Sequence, residues 1–96
     1  MLFNFEWDPV KAKSNKDKHG VTFEQSVSVF RDPRALSIYD SDHSGKEDRW
    51  ITLGISATGL TLIVHHTYSQ INKETANIRI ISCRKATKRE GRRYRE

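Results

Sequence analysis

Cysteine is almost missing from this sequence: Cys83 stands alone among 96 residues. A single thiol excludes an internal disulfide, and with no second cysteine nearby no thiolate metal site can form around it. It sits in the apolar run Ile78 to Cys83, so it reads as a small buried hydrophobe. Proline occurs twice and glycine five times, which leaves no low-complexity tract or linker boundary, and no internal repeat is present. No apolar run approaches the roughly 20 residues needed to cross a bilayer. The start, Met1-Leu2-Phe3-Asn4-Phe5-Glu6, lacks the basic and apolar blocks of a signal peptide. Also absent are a nucleophile elbow, a phosphate-binding glycine loop and zinc-ligand spacing. Hydrophobic residues make up 35% of the chain, below the usual apolar share. These scarcities lead us to expect a soluble, intracellular protein: one domain over residues 1–96, with a modest core and much charged surface.

What the chain has in excess is positive charge, and it is regional. Of 17 Lys and Arg against 12 acids, residues 84–96 hold seven (Arg84, Lys85, Lys88, Arg89, Arg92, Arg93, Arg95) against two, Glu90 and Glu96. Residues 1–83 are therefore neutral, with ten of each sign. A surplus confined to one end points to an anionic partner.

Taken in order, Phe3, Phe5 and Trp7 alternate with Asn4 and Glu6 as in a short strand, which Asp8-Pro9 closes. Asp8 as cap and Pro9 in the first turn start a helix that runs to about His19, polar almost all round, with Gly20 placed to end it. Thr22 and Gln25 form a capping box for a second helix whose apolar stripe is Phe23, Val27 and Phe30. Asp32-Pro33 ends it. A strand from Ala35 to Asp40 leads into a polar loop, Asp40 to Lys46. Trp50 to Ile55 and Leu60 to Tyr68 make a hairpin through Ser56-Ala57-Thr58-Gly59. On its second arm Leu60, Leu62, Val64, His66 and Tyr68 share one face, and Thr61, Ile63, His65 and Thr67 the other. Gln70 to Asn77 reads as a polar connection and Ile78 to Arg84 as the last strand. Thr87 and Glu90 then open a basic terminal helix, in which Gly91 costs about 1 kcal/mol relative to alanine and favours fraying. The expected fold is α+β: a small antiparallel sheet in the order β-α-α-β-β-β-β-α, with the two N-terminal helices on one face.

The basic residues carry the first candidate chemistry, since RNA is an abundant intracellular polyanion and the guanidinium fork matches phosphate. Arg79, Arg84 and Lys85 belong to a strand and its end, where cations can be pre-organised around a reacting phosphate. His65 and His66 are adjacent on a strand and so point to opposite faces, which argues against a shared metal site. Either could serve as a general acid or base, or could simply pair across a sheet edge. Tyr68 and Tyr94 could stack on a base or donate to a phosphate oxygen, or only pack. His19 suits a helix C-terminus. His43, between Asp42 and Ser44, reads as a loop residue, and Asp42, Glu47 and Asp48 form no recognisable acid and base pair.

Phe5-Glu6-Trp7-Asp8, Lys18-His19-Gly20-Val21 with Phe23-Glu24, Asp42-His43-Ser44 with Arg49, and Gly54 are joined by a more specific closing motif. That motif is Ile78-Arg79-Ile80-Ile81-Ser82 with Arg84-Lys85-Ala86-Thr87-Lys88-Arg89-Glu90 and Tyr94. In this order, over nearly the whole chain, these residues resemble the BrnT toxins of type II toxin-antitoxin systems. The resemblance implies a RelE-like fold and a bacterial cytoplasmic endoribonuclease that inhibits translation without a cofactor or metal. It also implies a BrnA-type antitoxin with a ribbon-helix-helix domain, through which alone the pair would reach promoter DNA. Metal-free cleavage would place Arg79 and Arg84 as phosphate cations with Lys85 assisting. Proton transfer is left open among His65, Tyr68 and Tyr94, and Lys88, Arg89, Arg92 and Arg93 would bind RNA. Two other classes fit the same residues: a module that grips RNA or the ribosome without cleaving, and a degenerate toxin serving only as the antitoxin's partner and co-repressor.

Overall fold

Asp8 and Pro9 begin the first helix as their chemistry requires. In the computed structural model, which describes residues 1–96, the Asp8 carboxylate accepts from the Val10 amide at 2.8 Å. Helix α1 runs Pro9–His19 and stops where Gly20 turns left-handed at φ 69°, its amide donating to the Lys16 carbonyl. Thr22 caps α2 (Phe23–Val29), with the reciprocal Gln25 bond of a capping box. Thr87 and Glu90 do the same for α3 (Lys88–Arg95). The terminal helix continues through Gly91, which is buried.

Six strands complete the fold: β1 (Leu2–Glu6), β2 (Leu36–Tyr39), β3 (Arg49–Ile55), β4 (Thr61–Thr67), β5 (Ser69–Gln70) and β6 (Thr75–Lys85). They form one sheet in the order β1-β6-β4-β3-β2, with β5 also paired to β6. The sheet is mixed rather than antiparallel as expected, because β1 runs parallel to β6 (Leu2 opposite Thr75, Glu6 opposite Arg79). Two helices and a three-strand meander separate β1 from β6, which is the long crossover that a parallel pair needs. The same pairing corrects the polar connection: residues 75–77 are strand, and Asn4 donates to the Asn77 side chain at 3.2 Å. Polar side chains suffice there because only alternate residues, Ala76 and Ile78, are buried.

One sheet face carries the main core, in which Val21, Phe23, Val29, Leu62, Val64, Ile78, Ile80 and Cys83 are almost wholly removed from water. Phe3, Phe5, Trp7 and Phe30 pack around it. The buried stripe of α2 is Phe23, Ser26 and Val29, with Val27 only half-buried, so the expected stripe is shifted around the helix. The shift fits the strand beneath: at Gly54 an added Cβ would lie 2.9 Å from Val29 Cγ1, so α2 approaches β3 where no side chain intervenes. The opposite face holds a second, smaller cluster of Leu53, Ile63 and Tyr94, through which α3 docks. No helix is long and apolar enough to cross a membrane.

His66 lies inside the main core side and its tautomer follows from its partners. The Thr67 carbonyl can only accept, so Nδ1 carries the hydrogen (2.9 Å), and Nε2 accepts from the Thr52 hydroxyl at 2.6 Å. Thr52 in turn accepts from Ser37 at 2.8 Å. Burial pushes the His66 pKa down to about 4, against the smaller opposing pull of the Thr67 carbonyl. Between an ordinary histidine value of about 6.5 and that value, the unfolded chain binds the extra proton and the folded chain does not. Stability should therefore fall as pH drops through this window, by about 3 kcal/mol in all. Urea melts at pH 7 and pH 4.5 check this, and His66→Gln should flatten the slope.

Candidate active site

The position of the site depends on one irregularity in β6. Along it Ala76, Ile78 and Ile80 enter the core at every second residue, and the next core residue is Cys83, three further on. The pairing with β4 shows why: His66 lies opposite Ile80 but His65 lies opposite Ser82, leaving Ile81 as the extra residue of a bulge. In a regular strand Arg79 and Arg84, five residues apart, would point to opposite faces. The bulge reverses the parity between them, and both face the side away from the main core.

On that outer face His65 occupies the middle row, between Ile51 on β3 and Ser82 on β6. The row toward α3 contains Ile63 opposite Arg84, and the row on the other side contains Arg49 opposite Thr67. The cations are oriented by carboxylates. Arg84 forms a two-pronged pair with Glu90, Nη1 to Oε1 at 2.8 Å and Nη2 to Oε2 at 2.9 Å. This bond, with help from the Thr87 amide, holds the Glu90 carboxyl down at about 2. Arg79 donates to Glu47, whose same oxygen lies 3.7 Å from Arg49. Exposed pairs of this kind contribute at most about 1 kcal/mol each, so a phosphate can replace the carboxylate at little cost.

A cavity of about 230 Å³ opens beside His65 and is also lined by Ser82, Arg49, Asp40 and His43. His65 is half-buried, and its pKa is lowered first by that burial and then by the nearby Arg84 charge. It is held neutral, as a proton acceptor near pH 7 requires. Asp40 and His43 belong to the loop between β2 and β3, and His43 Nδ1 lies 2.9 Å from Asp40 Oδ2.

A model of the family described as the ribonuclease toxin, BrnT, of type II toxin-antitoxin system matches residues 7–90. The chain belongs to the BrnT family. No curated protein matches it. Membership makes this BrnT chain the toxin half of a pair, with an antitoxin as its partner. The matched residues include the bulged strand, the loop that carries His43, and the first turn of α3, whereas Tyr94 lies beyond them.

The remaining candidates fall elsewhere on the BrnT chain. Lys85 is exposed at the end of β6 opposite Leu62, on the parity that faces away from Arg84. Tyr68 packs against the main core, where it lines an apolar pocket with Phe3, Phe30 and Trp50, and it also borders the groove around Arg79. Tyr94 is buried on Leu53 and Ile63, and its hydroxyl donates to Asp32, which also accepts from the Ile55 amide at 2.9 Å. It anchors α3, and the hydrogen bond to Asp32 raises its pKa. Lys88, Arg89, Arg92 and Arg93 are exposed on α3, whose buried residues are Gly91 and Tyr94. Arg49, Asp40 and His43 were not anticipated as site residues. The broken spacing from Ile80 to Cys83 was the sequence signal for the bulge, and Arg49 shares parity with Ile51 and Leu53 at the head of β3.

Proposed function

We propose that this chain is a metal-independent endoribonuclease that arrests translation, restrained by a BrnA-type ribbon-helix-helix antitoxin through which the pair contacts promoter DNA. A RelE-like arrangement fits the α+β architecture. The outer sheet face receives an RNA phosphodiester: Arg84 and Arg79 bind the phosphate and the charge that builds on it, and His65 takes the proton of the attacking 2′-hydroxyl. The exposed Lys88, Arg89, Arg92 and Arg93 of α3 hold the flanking RNA backbone, and Lys85 adds charge at the strand end. Of the tyrosines, Tyr94 serves by fixing α3, and Tyr68 is placed to touch RNA only near Arg79. The observation that carries this assignment is the β6 bulge, which gives Arg79, Arg84 and His65 a common face.

The test is incubation of purified folded protein with RNA in the presence of a chelator, alongside inducible expression with and without the neighbouring small gene. The expected results are fragments ending in 2′,3′-cyclic phosphate and 5′-hydroxyl groups, and growth arrest relieved by the neighbour. Intact RNA after incubation with folded protein would instead identify a module that binds without cleaving.

A further inference from the structure

The loop from Asp40 to Asp48 is built to hold one histidine over the cavity beside His65. Its two ends are joined by the Asp40 amide donating to the Arg49 carbonyl at 2.8 Å. Ser44 crosses the loop, its hydroxyl donating to the Asp40 carbonyl at 2.7 Å and accepting from the Arg49 amide at 3.0 Å. The Asp40 side chain is only 11% exposed, whereas that of His43 is 67% exposed. Asp40 Oδ2 lies 2.9 Å from His43 Nδ1. An ionised carboxylate only accepts, so the hydrogen of that bond sits on Nδ1 and Nε2 is the nitrogen left for a substrate. The hydrogen bond from His43 keeps the Asp40 carboxyl below the usual carboxylate range. A largely covered carboxylate that fixes the tautomer and orientation of an exposed imidazole is the support a proton donor needs.

We propose that His43, held by Asp40, is the general acid that protonates the departing 5′ oxygen, across the cavity from His65 acting as base. The proposal rests on the ribonucleolytic function above and assigns a step left without a residue there. As the 2′ oxygen forms its bond to phosphorus, its proton passes to His65. As the bond from phosphorus to the 5′ oxygen breaks, the proton on His43 Nε2 passes to that oxygen. The products are a 2′,3′-cyclic phosphate and a 5′-hydroxyl, and exchange with water returns both imidazoles to their starting states. His43 would contact the reacting atoms; Asp40, acting through it, is a positioning residue. Arg49, on the same cavity, is free to receive a non-bridging phosphate oxygen once Glu47 is displaced.

A change of leaving group separates these roles. Ordinary RNA and a matched substrate in which sulfur replaces the scissile 5′ oxygen are cleaved by wild type, His43→Gln, Asp40→Asn and His65→Gln, each checked for an unchanged thermal melt. A thiolate departs without protonation, so loss of the acid should matter only for the oxygen substrate. His43→Gln should lose on the order of 100-fold on ordinary RNA and recover nearly the wild-type rate on the sulfur substrate. Asp40→Asn should follow the same pattern with a smaller loss, and His65→Gln should stay slow on both. If His43→Gln cleaves ordinary RNA at the wild-type rate, or is equally impaired on both substrates, His43 is not the acid. A wild-type protein that cleaves neither substrate would overturn the ribonuclease assignment itself, so the two failures are distinguishable.

Discussion

Replacing Arg84 with alanine should slow RNA cleavage by roughly 100-fold to 1,000-fold, the usual effect of deleting a donor aimed at developing transition-state charge. The expectation comes from how the side chain is held. Arg84 projects from the ordered end of β6, and both prongs of its guanidinium are already aligned by Glu90. A phosphate that takes the place of the carboxylate finds the fork in position, so little ordering remains to be done when the substrate binds. The fold should tolerate the change. The pair is about one-third exposed on each side and its loss costs at most about 1 kcal/mol. Glu90 also keeps its bond to the Thr87 amide at 2.8 Å, so the cap of α3 survives. Arg84→Lys, which keeps the charge but loses the fork, should fall between wild type and alanine. The measurements are cleavage rate with purified protein and growth arrest at matched expression, with a melt to confirm folding. An Arg84→Ala protein that arrests growth and cleaves at the wild-type rate would remove Arg84 from the chemistry.

The division between what was legible in the sequence and what was not follows physical range. Helix starts and stops at Asp8, Gly20, Thr22 and Thr87 were readable because each is decided within four residues by a side chain and the nearest free amides or carbonyls. The hairpin of β3 and β4 was readable from alternation for the same reason. The parallel pairing of β1 with β6 was not, since it joins residues more than 70 positions apart and leaves a local pattern that is merely polar at Thr75 and Asn77. The site divides in the same way. Charge pointed to Arg79 and Arg84, but counting residues along a regular strand would have set them on opposite faces. The broken spacing from Ile80 to Cys83 hints at an extra residue, and the pairing with β4 fixes it at Ile81, which unites them. His43 looked like an ordinary loop residue because its partner Asp40, three residues earlier, becomes a partner only once Ser44 and Arg49 close the loop.

Asn15→Leu should destabilise the fold by roughly 3–5 kcal/mol, far more than loss of the Arg84 pair, although Asn15 lies on a helix that looks polar all round. Asn15 is the one buried residue of α1. Its amide nitrogen donates to the Val21 carbonyl at 3.0 Å and to the Cys83 carbonyl at 2.8 Å, and its oxygen accepts from the Cys83 amide at 3.0 Å. The need for this arises from the sheet. β1 stops opposite Arg79, so beyond that point β6 has no strand on its outer edge, and the backbone groups of Cys83 that face away from β4 would be orphaned. Asn15 acts there as one residue of a missing strand. Leucine has nearly the same shape but neither donor nor acceptor, and it would leave three buried backbone groups unpaired at about 1–3 kcal/mol each. In a domain of this size total stability is about 5–15 kcal/mol, so the melting temperature should drop by roughly 15–25 °C. Urea and thermal melts measure this directly, and a change within about 0.5 kcal/mol would show that water or a shifted backbone replaces the amide. The consequence extends to function, because Cys83 immediately precedes Arg84. Loosening β6 at that point should impair cleavage even below the melting transition, by letting the bulge that aligns Arg79 with Arg84 relax toward a regular strand.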